Sequence, residues 1–183
     1  MRKVTAGLFH AIDGVVEAPN LWQFDAFDDD LGALLGGVLG RTDTVLMGRK
    51  GYEDWAGYWP TAQQDDFFAQ FINNVPKHIA SRTLTVPLSW ANSHLITGEL
   101  EAFVRDLKQQ PGGEIAVMGS ISVVRTLFLA GLLDELTLIT HPVVAGDGKR
   151  HLFAPDEATT RLELVSVTGT AKGNVITTYR LKA

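Results

Sequence analysis

The sequence predicts an α/β fold, and three observations carry that expectation. Two segments, Thr44-Val45-Leu46-Met47-Gly48-Arg49 and Ile115-Ala116-Val117-Met118-Gly119-Ser120, are short apolar runs. Each is entered from an acidic residue (Asp43, Glu114) and left through a glycine and a polar residue. Runs of that length read as strands buried on both faces, as in the middle of an α/β sheet. Segments of helical spacing alternate with strand-like ones through most of the chain. Two strand-like segments joined by a turn then close it as a β-hairpin.

Taken in order, Val4 to His10 alternates and reads as a strand, and Asp13-Gly14 as a turn, with loop over Glu17 to Gln23. Phe24, Phe27, Leu31, Leu34, Leu35 and Val38 recur at helical spacing, with Asp28, Asp29 and Asp30 placed to favour the helix dipole and Gly40 as the stop. Strand Thr44–Met47 follows. Tyr52 to Trp59 is rich in aromatics and is interrupted by Pro60. Asp65 to Phe71 reads as helix, Lys77–Ser81 as a short strand, and Trp90 to Thr97 contains another strand. Leu100, Phe103, Val104 and Leu107 mark one face of a helix ending before Pro111-Gly112-Gly113. After strand Ile115–Met118, Ser120 can cap a helix that Gly131 stops. That helix is apolar nearly all round (Ile121, Val123, Val124, Leu127, Phe128, Leu129), which predicts burial in the core or in a homodimer interface. Leu136–Thr140 is a strand, and Gly146-Asp147-Gly148 a loop. Leu162–Thr168 and Val175–Leu181 form the hairpin about Lys172-Gly173-Asn174.

The chain has 183 residues, a length that predicts one domain over 1–183. The net charge of −5 and the absence of a long basic run argue against nucleic acid or an anionic membrane as partner. There is no cysteine, which excludes disulfides, thiol catalysis and cysteine-bound metal. The five histidines (His10, His78, His94, His141, His151) show no metal-ligand spacing and read as structural or surface residues, so no metal is expected. With neither an apolar signal core nor a membrane-length apolar stretch, a cytoplasmic protein is the expectation.

Several turns suit phosphate. Gly48-Arg49-Lys50 ends the first buried strand: the glycine lets a ligand approach the backbone, and Arg49 offers a forked donor. On that segment alone a βα turn with two solvated basic residues explains it better. Ser81-Arg82 sets a hydroxyl beside a guanidinium, which suits a terminal phosphate such as the 2′-phosphate of NADP; alone it reads better as a polar strand end. Gly119-Ser120 opens the apolar helix, whose first-turn N–H groups would bind a pyrophosphate while Ser120 caps it. Asp13-Gly14 could hold a ligand group or simply turn the chain. The aromatic set Trp22, Tyr52, Trp55, Tyr58 and Trp59 could stack a flat heterocycle or fill the core.

In this order the segments resemble the dihydrofolate reductase superfamily, and within it stand-alone relatives of the reductase domain of riboflavin synthesis. The matching pieces are Ile12-Asp13-Gly14-Val15-Val16-Glu17, Leu46-Met47-Gly48-Arg49-Lys50-Gly51-Tyr52-Glu53, Lys77 through Leu84, Gly112 through Ser120, and Gly131 through Leu136 with Pro142–Gly148 and Leu152-Phe153. The resemblance implies a three-layer fold with a mixed, mostly parallel sheet, and NADPH across the strands' carboxyl ends. It implies Gly48, Arg49 and Lys50 at the adenosine phosphates, and Ser81 and Arg82 at the 2′-phosphate. Gly119, Ser120 and Ile121 would hold the pyrophosphate, and Ala11 and Ile12 would flank the nicotinamide. A small-molecule substrate, a pyrimidine- or pterin-like heterocycle or a carbonyl compound, would lie by Asp13, Gly14, Trp22 and Tyr52, with Asp13 the candidate proton donor. Two departures stand out: Gly51 replaces the family's threonine, and the window of the folate-binding carboxylate centres on Gly32. They leave a second reading, a non-catalytic NADP(H)-binding sensor or degenerate paralogue.

Overall fold

The computed structural model describes residues 1–62, 66–146 and 149–182. It contains β1 (Val4–Ala11), α1 (Asp29–Arg41), β2 (Thr42–Gly48), α2 (Arg49–Ala56), α3 (Phe67–Asn74), β3 (Lys77–Ala80) and β4 (Ser93–Leu95). Then follow α4 (Leu100–Gln109), β5 (Glu114–Val117), α5 (Ile121–Leu129), β6 (Glu135–His141), β7 (Leu162–Gly169) and β8 (Val175–Leu181). The strands form one eight-stranded sheet of order β4-β3-β2-β5-β1-β6-β8-β7. Pairing is parallel from β4 to β6, and β8 then joins β6 and β7 antiparallel. This is the three-layer, mostly parallel sheet closed by a hairpin that the sequence predicts.

The alternation of side chains across β2 shows why such a run must be apolar throughout. Val45 and Met47 pack on one face with Ile72, Ile79 and Trp90, while Leu46 packs on the other with Val104, Val117, Val123 and Leu127. Both faces of the strand are covered from Thr44 to Met47, so no position there can be polar without a buried partner, as Thr44 has in Arg2. A further cluster, Leu31, Ile139 and Ile176, seats α1 on the sheet.

Three helices begin on a side-chain cap. Asp28 accepts from the Leu31 amide at 2.9 Å, Asp66 from Ala69 at 3.0 Å, and Ser120 from Val123 at 3.2 Å. The first cap corrects the expected start of α1. Phe24 and Phe27 keep helical spacing but lie outside the helix, because Asp28 ends the preceding loop and Asp29 is the first helical residue. Phe24 itself takes a left-handed backbone, φ 46°, which no α-helix contains. Gly40 does not stop the helix either; α1 runs to Arg41, and the β-branched Thr42 turns the chain straight into β2. The expected helix from Asp65 begins at Phe67, and Asp65, like Asp147 and Gly148 of the expected loop, lies outside the described residues.

Helix α5 turns Val123, Val124, Leu127 and Phe128 into the chain's own core. Leu129 is left exposed. Lys77 opens β3 fully buried, its Nζ donating to the carbonyls of Ile72 (2.8 Å) and Val75 (2.9 Å) at the end of α3. A cation there answers the negative end of the helix dipole, and the ring of Trp90 lies 4.6 Å from it.

Candidate active site at the carboxyl ends of the strands

Parallel pairing brings the carboxyl ends of five strands to one edge of the sheet. Read from β3 to β6, that edge carries Ser81-Arg82, then Gly48-Arg49-Lys50, then Gly119-Ser120, then Ala11-Ile12-Asp13, then His141. Gly48 stands opposite Ala80, Leu46 opposite Val117, and Ala11 opposite His141. At about 4.8 Å per strand, the run from Ser81 to Ile12 spans roughly 14 Å.

The middle of this edge is closely built. Arg49 starts α2 and Ile121 starts α5, so two helix N-termini open side by side. A Cβ on Gly48 would lie 2.3 Å from Ser120 Oγ, and one on Gly51 would lie 1.8 Å from the carbonyl oxygen of Gly119. Gly119 adopts φ +62°, which a side chain would strain. The glycines thus let the two turns touch backbone to backbone. Only α5 has a side-chain cap; Gly48 supplies none to α2. The first-turn amides of both helices therefore offer donors and partial positive charge in the same place. Gly51, where the resemblance implies a threonine, has its physical reason here: no side chain fits between it and Gly119.

Ser81 Oγ accepts from the amides of Thr83 (3.1 Å) and Leu84 (3.0 Å), a turn that fixes the exposed Arg82 at the end of β3. Arg49 is exposed and pairs with Glu53 at 2.7 Å.

On the far side of β1, two loops are laced together. Ile12 N donates to Val143 O at 2.9 Å, Gly146 N to Asp13 Oδ2 at 2.8 Å, and Val16 N to Arg150 O at 3.0 Å. Val15 pairs with His151, whose ring lies against Gly14. Ile12 and Val144, one on each of these loops, remain exposed, as does Phe24 before α1.

Three expected site residues have partners that the sequence does not reveal. The Gly146 amide, first among several backbone donors, holds the Asp13 carboxyl below its ordinary range, which favours its ionised form. Tyr52 is buried beside Val45, Met47 and Trp90, and its hydroxyl accepts from the Trp90 amide at 3.2 Å; it is a core residue. Trp22 is buried too, its indole N–H donating to Glu17 O at 2.8 Å. Trp55 joins Trp59 and Phe68 in edge-on contacts of the aromatic core.

The sequence expects His141 to be structural or at the surface and does not reveal its partners. His141 is enclosed between Phe9 and Trp22, its Nδ1 2.6 Å from Asn174 Oδ1. Asn174 in turn donates to Ala26 O at 2.7 Å, tying the hairpin to the loop before α1. Nor does the sequence reveal the pairing of Glu17 and Arg150, joined at 2.9 Å. A cleft of about 410 Å³ lined by Pro60, Asn73, Ser89 and Trp90 lies beside α3 and before β4, away from the carboxyl ends. Among the described residues no cluster has the makings of a metal site, and no helix is long and apolar enough to cross a membrane.

Comparison with known proteins agrees with this fold. The RibD C-terminal domain family model matches residues 2–176. The uncharacterized protein YyaP of Bacillus subtilis (strain 168) is 30% identical, over 97% of this chain and 94% of its own length. Among solved structures, a pyrimidine reductase-like protein from Corynebacterium diphtheriae is similar in fold, with a TM-score of 0.73 at 15% identity over 100% of this chain and 92% of that one. Dihydrofolate reductase from Enterococcus faecalis, solved with NADP(H), has a TM-score of 0.63 at 13% identity over 99% and 97% of the two chains.

Proposed function

The chain belongs to the RibD C-terminal domain family, a reductase-type family, and from that premise we propose that it is an NADPH-dependent reductase. Its substrate is a small pyrimidine- or pterin-like heterocycle or a carbonyl compound. The observation that carries the reading is the order of groups along the sheet edge. A hydroxyl–guanidinium pair lies at β3, a cation and open helix amides at β2, and a capped helix start at β5. An apolar β1 end comes last. That order suits the 2′-phosphate, the adenosine phosphates, the pyrophosphate and the nicotinamide in turn.

In this reading Ser81 and Arg82 hold the 2′-phosphate, Gly48, Arg49 and Lys50 the adenosine phosphates, and Gly119, Ser120 and Ile121 the pyrophosphate. Ala11 and Ile12 flank the nicotinamide, Ile12 with its exposed apolar side chain. The cofactor supplies the hydride when bound; the protein supplies orientation. Reduction places a hydride on a C=N or C=O carbon and a proton on its heteroatom. Asp13, being ionised, orients the loop, and the proton comes from solvent.

Titration of the purified protein with NADPH, followed by nicotinamide fluorescence and then by absorbance loss with pyrimidine, pterin and carbonyl acceptors, tests the proposal. Binding with turnover of one acceptor class is expected. No fluorescence change at high micromolar NADPH would overturn it. The ionised Asp13 favours a second reading, an NADP(H)-binding sensor without turnover, which predicts binding and no consumption with any acceptor.

A further inference from the structure

Glu17 follows the turn after β1, and its carboxylate is held by two cations from separate parts of the chain. Oε1 accepts from Arg150 Nε at 2.9 Å and from Lys50 Nζ at 3.1 Å, while Oε2 accepts from the Arg150 amide at 3.1 Å. The Arg150 hydrogen bond, with Lys50 behind it, holds this carboxyl down to about 2. Lys50 belongs to the first turn of α2, after β2; Arg150 lies beyond β6. In the sheet, β5 stands between β2 and β1. The link from Lys50 to Glu17 therefore crosses the carboxyl end of β5, where Gly119 and Ser120 start α5. Val16, beside Glu17, belongs to the same buried cluster as Val123 and Val124 of that helix.

The strap is an anion site filled from within. Two cationic side chains and a backbone amide converge on one carboxylate, and both cations keep more than half of their side-chain surface in water, 64% for Lys50 and 55% for Arg150. Glu17 keeps 20% of its own, so the cations are the solvent-screened side of pairs that contribute little to stability. A phosphate monoester or diphosphate has the same fork of oxygen acceptors and more charge, and it would also reach the amides at the start of α5.

We propose that Lys50 and Arg150 form a phosphate subsite over the start of α5, which the Glu17 carboxylate occupies until a phosphate-bearing ligand displaces it. The ligand is the diphosphate of a dinucleotide or the phosphate ester of a substrate. The proposal leans on the reductase reading only for the first of these sources.

The test is calorimetric titration of the wild type, Glu17→Gln and the double variant Lys50→Met/Arg150→Met with NADPH and, separately, with ribose 5-phosphate. Glu17→Gln removes the competing charge and is expected to tighten the displacing ligand about two- to fivefold. The double variant is expected to weaken that ligand about tenfold or more. Effects confined to NADPH assign the subsite to the dinucleotide, and effects confined to ribose 5-phosphate assign it to a substrate ester. A folded Glu17→Gln protein with unchanged or weaker affinity for both ligands overturns the proposal. So does a double variant with unchanged affinity for both, a result that stands even if Glu17→Gln does not fold. If NADPH binds no variant while ribose 5-phosphate responds as expected, the subsite stands and the reductase reading falls. If NADPH binds all three proteins equally and ribose 5-phosphate does not respond, the reductase reading stands and the subsite falls.

Discussion

Gly51 and Gly119 meet backbone to backbone: a Cβ placed on Gly51 would lie 1.8 Å from the carbonyl oxygen of Gly119. The neighbour is main chain and cannot swing aside, so Gly51→Ala must push α2 off the β5–α5 turn. Overpacking of that kind costs about 2–3 kcal/mol. Gly119→Ala meets the flexible end of Met47 at 3.2 Å and a φ of +62°, a left-handed strain of about 1–2 kcal/mol. Urea denaturation is expected to rank Gly51→Ala as the more damaging. Wild-type stability in Gly51→Ala would show that the two turns part without cost.

Arg82 is the second test, because no side chain among the described residues pairs with its cation while Ser81 fixes its backbone. Arg82→Ala is expected to weaken NADPH about tenfold or more, the loss of a charge-assisted hydrogen bond, and to leave NADH nearly unchanged. Ser81→Ala, which frees the turn, is expected to have a smaller effect in the same direction. Equal losses for the two cofactors would remove the 2′-phosphate role from Arg82.

The legible parts of the fold were those whose cause is local. Buried strands Thr44–Met47 and Ile115–Met118, the Ser120 cap and the closing hairpin each follow from a few adjacent residues. Phe24 and Phe27 misled because spacing alone does not see that Asp28 caps the helix after them. Gly40 misled because a helix glycine is tolerated when the next segment pairs at once. What could not be read is what depends on partners far along the chain. Glu17 and Arg150 are 133 residues apart, and His141 and Asn174 are 33 apart. The burial of Lys77 likewise needs Trp90 and the end of α3, whereas a lysine opening a strand ordinarily reads as solvated.

His141 carries a prediction about acid. Burial lowers its pKa from 6.5, and the hydrogen bond to Asn174 opposes that only in part. Burial also lowers His78, with help from the facing His94 and from Arg2. The folded state thus keeps these rings neutral at pH values where the unfolded chain protonates them. Stability is expected to fall as pH drops below about 6.5 and to keep falling to the folded pKa values. The Cε1 proton resonance of His141 is the direct readout, with a midpoint below 6.5 expected. Asn174→Ala is expected to lower that midpoint further and to cost about 1–2 kcal/mol through the unpaired ring nitrogen. A midpoint at or above 6.5 in the wild type would show that the ring is not enclosed.

Lys77 bears on the opposite end of the pH scale. Burial holds its amine down to about 8 in the folded chain, against 10.5 when unfolded. Between these values the unfolded chain binds more protons than the folded one, so stability rises with pH across that window and is level below it. The full rise is on the order of 3 kcal/mol. Lys77→Met has similar length and no charge, and it is expected to abolish the rise while leaving the packing against Trp90 largely in place. Its cost at pH 7 comes from the carbonyls of Ile72 and Val75, which lose their donor. Urea midpoints of the two proteins from pH 7 to 10 separate the effects. Parallel curves would mean that the amine keeps its charge, and hence that solvent reaches the end of α3.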